Sequence, residues 1–385
     1  MLTGDLHVDV AIVGGGLTGV STALHLVEAG ASVALLEAGR LGNAETGRSA
    51  GQIVTGFLPS PQEMSKWLGR SHAGKLLKLA HRGKEALKDR MQTHGIDCGY
   101  RPGYVFVSLT PAHDAVLADM CENFIADLGI AGARWMTGPD LSDYVRSPLY
   151  RGGLYDPTAG SLDAVRLLAG LADASAAGGA LLFERAAVRR IRRLGRRHLA
   201  VETQDGTVTA GQVVLACSPG EGVFGSMPPG LVQLSTTTVV LTEPLVRAEI
   251  DQILPTWCSG SDWRYEADYW AVTGDDRLLF GGTPEAGEDA QSSLIQRLGE
   301  VFPTMADAGV ARSWQGQVAK TRTLLPQIGR IDEDIWVGRG YNGVGLVLAY
   351  LAGWLIAEGI GGRCSEIEVF ERIPQRVRRD ESCNE

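Results

Sequence analysis

Histidine is missing from almost half of this 385-residue chain. All seven histidines lie at or before His198, so any chemistry in the C-terminal half proceeds without an imidazole. No G-x-S-x-G stretch occurs in that half either, which excludes a Ser–His–Asp hydrolase assembled there. Cysteine is sparse: Cys98, Cys121, Cys217, Cys258, Cys364 and Cys383 form no C-x-x-C pair or Cys/His cluster. That pattern argues against a disulfide framework and against a metal site, and it fits a reducing cytoplasm. Long hydrophobic runs are absent too. Val344–Ala357 spans about fourteen residues, short of the ~20 a membrane helix needs, and reads as a buried helix. The N-terminus lacks the basic region of a secretory signal. Positive charge is in deficit, 36 Lys and Arg against 45 Asp and Glu, and the net charge of −9 argues against general nucleic-acid binding. A cytoplasmic protein of two ordinary-sized domains, monomer or homodimer, is the expectation.

Glycine, by contrast, is abundant and placed with purpose. Val8–Glu37 reads as strand, tight turn, helix, second strand and acid. Val8, Val10, Ala11, Ile12 and Val13 form the short apolar run of a strand buried on both faces. Gly14, Gly16 and Gly19 supply the G-x-G-x-x-G spacing, for a sharp turn, close approach to a diphosphate, and tight packing of helix on sheet. The helix from about Leu17 to Glu28 begins there, so its free N–H groups and positive dipole end face the phosphates. Ser32–Leu36 is the second strand, and Glu37 is placed to accept ribose hydroxyls. The stretch predicts a bound dinucleotide.

Ala38–Phe57, rich in Gly, Ser and small polar residues, then replaces the βα repeat that a simple NAD domain would show; it suits a loop lying along a flat ring system. Ser65–Thr93 predicts a surface helix pair without chemistry, its apolar side made by Leu68, Leu76, Leu77, Leu79, Ala80 and Leu87. Tyr100–Leu109 reads as a strand and Pro111–Leu128 as one helix. Arg151–Ala180 reads as a glycine turn and a helix with Leu162, Val165, Leu168, Leu171 and Ala172 on one side. The arginines around Gly195 alternate with apolar residues, the pattern of a solvated hairpin edge blocked by charge. A hairpin at Asp205–Gly206 precedes a parallel core strand, Gln212–Cys217, ending in Ser218–Gly220. Leu231–Leu245 and Tyr269–Gly282 suit an antiparallel sheet. Gly338–Gly345, GRGYNGVG, is a second glycine-rich turn opening a helix, and it can aim amides at a group that gains negative charge. Ser365–Phe370 reads as a last strand, and residues 376–385 as a tail.

Taken in order, GGGLTG with Glu37, GRSAGQ (Gly47–Gln52), DYWAVTGDDRLLFGG (Asp268–Gly282), WQGQVAKTRTLLPQIGRI (Trp314–Ile331) and GRGYNGVGLVLAYLAGWLIAE are similar to the FAD-dependent D-amino-acid-oxidase-like (DAO) superfamily. That superfamily includes glycine and sarcosine oxidases, and the sequence most resembles its gamma-glutamylputrescine oxidase branch. The resemblance implies an α/β fold. A Rossmann-like FAD-binding domain of glutathione-reductase type (1–85, 150–225 and 325–375) would join an α+β substrate domain (86–149 and 226–324) with a mixed, largely antiparallel sheet. It implies that Gly14, Gly16, Leu17, Thr18, Gly19, Glu37, Ala38 and Arg40 hold the ADP part of FAD. Arg48, Ser49, Ala50, Gly51 and Gln52 would line the ring, Val188 the adenine side, and Ala216 and Cys217 the cofactor's flank. Gly340, Tyr341, Asn342, Gly343, Val344 and Gly345 would approach the pyrimidine end.

The implied reaction is hydride transfer from the carbon next to a primary or secondary amine to flavin N5, with O2 as acceptor. The products would be an imine, hydrolysed to aldehyde, and hydrogen peroxide. Gln52, Tyr341, Asn342 and Trp270 are the catalytic candidates. Tyr265, Tyr269, Trp270, Trp314, Arg322 and Tyr341 are the substrate candidates, aromatic walls suiting an aliphatic amine. Trp263 joins the aromatic wall, and Arg322 and Arg339 are the candidates for a carboxylate partner. Five acids between Asp262 and Asp276 face only Arg264 and could draw a cationic tail. Departures from the family pattern are equally informative. No cysteine stands near Lys320–Thr321, so FAD is expected to be non-covalent. Leu279 stands where an oxygen-activating lysine would fall, Val318 where a carboxylate-clamping arginine would fall, and Asn342–Gly345 replaces Ser-Gly-His-Gly. An acceptor other than oxygen, a tailoring role on a larger natural-product amine, and a non-catalytic flavin subunit stay open as alternatives.

Overall fold

The computed structural model describes residues 2–195, 198–217, 232–284, 289–363, 366–371 and 373. The chain opens with β1 (Gly4–Val13), α1 (Leu17–Glu28), β2 (Val33–Leu36), α2 (Glu45–Arg48), β3 (Gln52–Ile53), α3 (Pro61–Leu68) and α4 (Arg70–Thr93). It continues through β4 (Arg101–Ser108), α5 (Pro111–Met120), β5 (Arg134–Thr137), α6 (Pro139–Ser142), β6 (Gly152–Ser161) and α7 (Ala164–Ala177). Next come β7 (Leu181–Phe183), β8 (Arg190–Gly195), β9 (His198–Glu202), β10 (Gly206–Leu215), β11 (Val232–Thr242) and α8 (Arg247–Ile253). Then follow β12 (Ser259–Asp262), β13 (Tyr269–Val272), β14 (Leu278–Gly282), α9 (Ala290–Val301) and β15 (Val310–Thr321). The described chain closes with β16 (Gln327–Asp332), β17 (Ile335–Arg339), α10 (Gly345–Ile360) and α11 (Glu368–Glu371).

Two sheets result. In the first, β1 lies parallel between β2 and β10, with Val13 opposite both Leu36 and Leu215. β7 extends the parallel array beyond β2, β17 extends it beyond β10, and β16 closes that edge antiparallel. Both faces are buried, which is why β1 and β2 read as continuous apolar runs. Ile12, Leu35 and Trp336 turn toward α1, α4, α7 and α10, while Val13, Leu36, Leu215 and Val337 turn toward β8, β9 and the segment around Ala186. The second sheet runs β15-β11-β14-β13-β12-β4-β6-β3 with β5 beside β6. It is mixed and largely antiparallel as expected, β12 and β4 being its parallel pair. Its core packs beneath α8 and α9.

Several local expectations give way to tertiary pairing. Gly152–Ser161 is a strand of the second sheet, antiparallel to β4 and β5, and no turn. Its glycines let Trp135 and the Arg101 carbonyl approach where a Cβ would collide. On α7 Val165 is 54% exposed, and Ala164, Leu167, Leu168 and Leu171 form the buried side. The Pro111–Leu128 α-helix stops at Met120, widens into a π-turn, Cys121–Ile125, and then tightens into a 3₁₀ turn, Ala126–Leu128. The hairpin strand and the core strand after Asp205 are one element: the first half of β10 pairs with β9 and its second half with β17. The loop 38–57 contains α2 and β3. Residues 368–371 are helical where a strand was expected. The arginine edge is ion-paired, Arg192 with Glu202 and Arg193 with Asp332 and Asp334. The expectations for Arg196 and Arg197, Ser218–Gly220, Leu231 and 376–385 lie outside the described residues. Among the described residues no helix is long and apolar enough to cross a membrane.

The helix pair α3 and α4, broken at Gly69, carries a feature that periodicity hid. The Lys84 side chain is 0% exposed. Its Nζ lies 3.1 Å from Asp156 Oδ2 and donates to Thr158 Oγ1 at 2.5 Å, joining the helical layer to β6 of the second sheet.

Candidate cofactor and active site

β1 delivers Gly14 to the C-terminal edge of the parallel strands, where open α/β sheets bind ligands. Gly14 takes φ +113°, and a Cβ there would stand 2.5 Å from the Ala216 carbonyl oxygen and 3.1 Å from Cys217 Cβ. Inside α1, a Cβ on Gly19 would collide with the Gly14 carbonyl. Gly16, the N-cap of α1, brings no side-chain cap. Leu17 N–H donates to Thr46 Oγ1 (3.2 Å), while the N–H groups of Gly16, Thr18 and Gly19 have no acceptor among the described residues. The Glu37 carboxylate is fixed beside them by the amides of Gly15 and Gly39, each at 2.7 Å. Ala186 N–H donates to the Glu37 carbonyl (2.8 Å), which draws the segment bearing half-buried Val188 to the same corner. Ala38 and Arg40 stand exposed on its rim. Idle helix amides, a turn with no room for a Cβ and an anchored carboxylate together fit the diphosphate and ribose of a dinucleotide.

The second turn converges on the first. After β17 the chain passes through Gly340, Tyr341, left-handed Asn342 (φ +56°) and Gly343 (φ +92°) into α10. Val344, the N-cap of α10, brings no side-chain cap, and a Cβ on Gly345 would meet nothing within 4 Å, so the helix start faces open space. Tyr341 OH lies 2.6 Å from Thr18 Oγ1, binding the two helix starts across 323 positions of sequence. Burial pushes the Tyr341 phenol well above its ordinary range, so it stays protonated. Further along, Gly353 of α10 packs against Ser21 of α1, whose hydroxyl donates to the Tyr350 carbonyl at 2.8 Å. A double-mutant cycle with Thr18→Val and Tyr341→Phe should return a coupling of about 1 kcal/mol in urea unfolding. A coupling of zero would mean that the two turns fold independently.

Other expected site residues fall into different places. Gln52 sits in β3 with its amide fully engaged: Nε2 donates to the Gly260 and Trp270 carbonyls (3.0 Å each), and Oε1 accepts from Tyr104 OH (3.1 Å). Asn342, 3% exposed, is equally engaged. Its Oδ1 accepts from Thr321 N–H (2.7 Å) and its Nδ2 donates to the Gly340 carbonyl (2.7 Å). Both side chains are struts that hold backbone, and neither has a free group to offer a reaction. Trp270 is 0% exposed, stacked on Tyr150 and edge-on to Phe302 inside the second core. Tyr269, its neighbour in β13, turns to the opposite face and bonds Thr237 Oγ1 at 3.1 Å. Period two forbids both from lining one pocket.

Arg48 and Trp314 do meet: Trp314 Nε1 donates to the Arg48 carbonyl (3.0 Å), and Arg48 Nη1 reaches the Gln315 carbonyl (3.4 Å). Ser49 bonds the Thr46 carbonyl, Ala50 follows it half-buried, and Gly51 closes on Leu162 where a Cβ would not fit. Arg322 is exposed, and Tyr265 is exposed with the Lys320 ammonium over its ring. Trp263 packs edge-on to Phe106. The acidic stretch is not a free negative surface. Buried Asp262 and Asp268 pair with Arg264, and Asp268 also pairs with Arg297, a partner 29 positions away that a local charge count omits. Thr46, Arg297 and the Thr18–Tyr341 contact carried no sequence signal.

Residues 9–359 match the family described as FAD dependent oxidoreductase, DAO. Gamma-glutamylputrescine oxidoreductase of Escherichia coli (strain K12) is 33% identical over 374 residues, covering 95% of this chain and 86% of the relative. Glycine oxidase of Geobacillus kaustophilus (strain HTA426) is 28% identical over 363 residues, covering 91% and 92%. In fold, the crystal structure of L-proline dehydrogenase from P. horikoshii superposes with a TM-score of 0.81 at 20% identity, covering 98% of this chain and 100% of that one. With its two helix starts converging on one edge of a Rossmann-like sheet, the chain belongs to the DAO family of FAD-dependent oxidoreductases, and FAD is its cofactor.

Proposed function

We propose that the protein oxidises the carbon beside a primary or secondary amine, giving an imine that water converts to aldehyde and free amine. The names of two relatives, gamma-glutamylputrescine oxidoreductase and glycine oxidase, support an amine or amino-acid substrate. The observation that carries the reading is the start of α10, uncapped by a side chain and facing open space beside Tyr341. When bound, FAD supplies the hydride acceptor. The amides that follow Asn342 sit at a positive dipole end and suit a group gaining negative charge. No histidine lies beyond His198, so the reading assigns no imidazole base to this turn, and the amine must arrive unprotonated. With no cysteine near Lys320, whose ammonium pairs with Glu266 at 3.1 Å, the cofactor is held non-covalently.

The anaerobic test is direct. Primary and secondary amines should bleach the visible flavin band, with kcat/KM rising across roughly pH 6 to 10 as the amine loses its proton. A band untouched by every amine, or a flat profile, would overturn the reading. Oxygen as acceptor predicts hydrogen peroxide equal to the amine consumed under air. A second reading, an acceptor other than oxygen, is favoured by Leu279. It is buried in β14 between Leu241 and Ala271, in the region where an oxygen-activating lysine is expected. Dye reduction without peroxide would select it.

A further inference from the structure

Arg339 ends β17, one residue before the second glycine turn, and is 4% exposed. A guanidinium has five N–H donors. Only Nε is bonded, to Gln327 Oε1 at 2.8 Å across the β16–β17 pair; the remaining donors reach no acceptor among the described residues, and no described carboxylate pairs with the charge. The other buried cation among the described residues, Lys84, is matched by Asp156, and half-buried Arg297 is matched by Asp268. A buried cation with most of its donors idle is costly unless something anionic completes it. Burial indeed pushes the Arg339 guanidinium below its ordinary range, and neighbouring Cys217 works against that shift.

Position indicates what completes it. β17 is parallel to β10, with Val337 opposite Leu215, so two steps on Arg339 stands level with Cys217. Cys217 in turn borders Gly14, where a Cβ would lie 3.1 Å from Cys217 Cβ. Val337 and Leu215, each two residues back along its strand, share one sheet face with Val13. β10 alone separates β17 from β1, roughly 10 Å at the usual strand spacing. That distance is within reach of a long side chain angled along the strand ends. The start of α1, with its idle amides, opens on the same edge.

We propose that Arg339 is a cofactor-binding residue whose guanidinium, held by Gln327, forms a charge-assisted pair with the diphosphate of bound FAD. It would face the amides of Gly16, Thr18 and Gly19 across that group. A planar fork suits two phosphate oxygens better than an ammonium does. A substrate carboxylate presents the same chemistry, but the edge shared with Gly14 favours the diphosphate.

The test uses holoenzyme diluted into buffer, with FAD release followed by the rise of flavin fluorescence. Arg339→Gln should release FAD at concentrations 10- to 100-fold higher than the unmodified protein, and Arg339→Lys about tenfold higher, a point charge standing in for the fork. Raising ionic strength should promote release from the unmodified protein and change release from Arg339→Gln far less. With FAD saturating, the ratio of KM for a carboxylated amine to that for its uncharged analogue should match the unmodified protein. FAD release unchanged in Arg339→Gln, with KM raised only for carboxylated amines, would assign the guanidinium to substrate and overturn the proposal. Equal salt dependence in both proteins would reduce Arg339 to a structural role and overturn it as well. Should Arg339→Gln fail to fold, Arg339→Lys decides, and release within twofold of the unmodified protein would overturn the assignment.

Discussion

Gly14→Ala should emerge from purification without its flavin. The φ of +113° lies where alanine does not rest, and the new Cβ would stand 2.5 Å from the Ala216 carbonyl oxygen. Neither side can yield easily. Gly14 N–H is bonded to the Leu36 carbonyl (2.9 Å) and Ala216 N–H to the Val13 carbonyl (2.8 Å), so the turn is pinned by the strands on both flanks. Strain of about 3 kcal/mol concentrated at the diphosphate seat corresponds to roughly a hundredfold loss of FAD affinity. The ratio of visible to ultraviolet absorbance reads occupancy, and far-ultraviolet circular dichroism reports whether the sheet persists. Gly30→Ala is the control: Gly30 also has positive φ (+86°), but a Cβ there would meet nothing within 4 Å. It should lose about 1 kcal/mol of stability and keep its colour. Stoichiometric FAD in Gly14→Ala would show that the cofactor does not sit on this turn.

Lys84→Ala should be the most destabilising of the single changes considered, by about 3–5 kcal/mol, because it strands a buried carboxylate. Asp156 would keep its Thr158 bonds and lose its cation. The double variant Lys84→Met with Asp156→Leu should recover most of that loss, since two apolar side chains of similar volume leave no charge unmatched. Urea midpoints compare the three proteins. The pair also sets a pH dependence. Burial raises the Asp156 carboxyl, but the Lys84 charge and the Thr158 bonds outweigh it and hold the group below the usual carboxylate range. The carboxylate therefore stabilises the fold fully above the unfolded-state value, about 4, and that contribution disappears as pH falls through the lower folded value. Acid titration of the double variant should lack this component. A Lys84→Ala protein as stable as the unmodified one would contradict the burial of the pair.

The part of this architecture that rests on near neighbours was readable in advance. Val8–Glu37 announces strand, turn, helix and acid, and α1 spans Leu17–Glu28 because the glycine turn that opens it and its apolar spacing are local, even though α10 packs along it. Residues whose partners lie far off were not readable. Gly152–Ser161 looks like a turn, since nothing nearby reveals that Trp135 and the Arg101 carbonyl need its missing side chains. Gln52 and Asn342 carry the polar groups of catalytic residues, yet their amides serve backbone up to 218 and 21 positions away. Strand alternation alone forbids Tyr269 and Trp270 from sharing a substrate wall, and burial shows that Trp270 is the core residue of the two. Lys84 lies in a helix whose spacing predicts a surface pair, and only the strand running behind it makes it a core residue.

The placing of β1 between β2 and β10 has a consequence for how the molecule is made. Its first neighbour follows within some twenty residues, but the second, starting at Gly206, is synthesised only about 190 residues after β1 ends. At about 5–20 residues per second, a ribosome would leave that flank of the opening strand bare for roughly 10–40 s. Tyr341 arrives later still, with the apolar α10 behind it. A nascent chain of this topology therefore holds a sticky, half-built sheet until β10 emerges, and the two helix starts meet only when α10 follows.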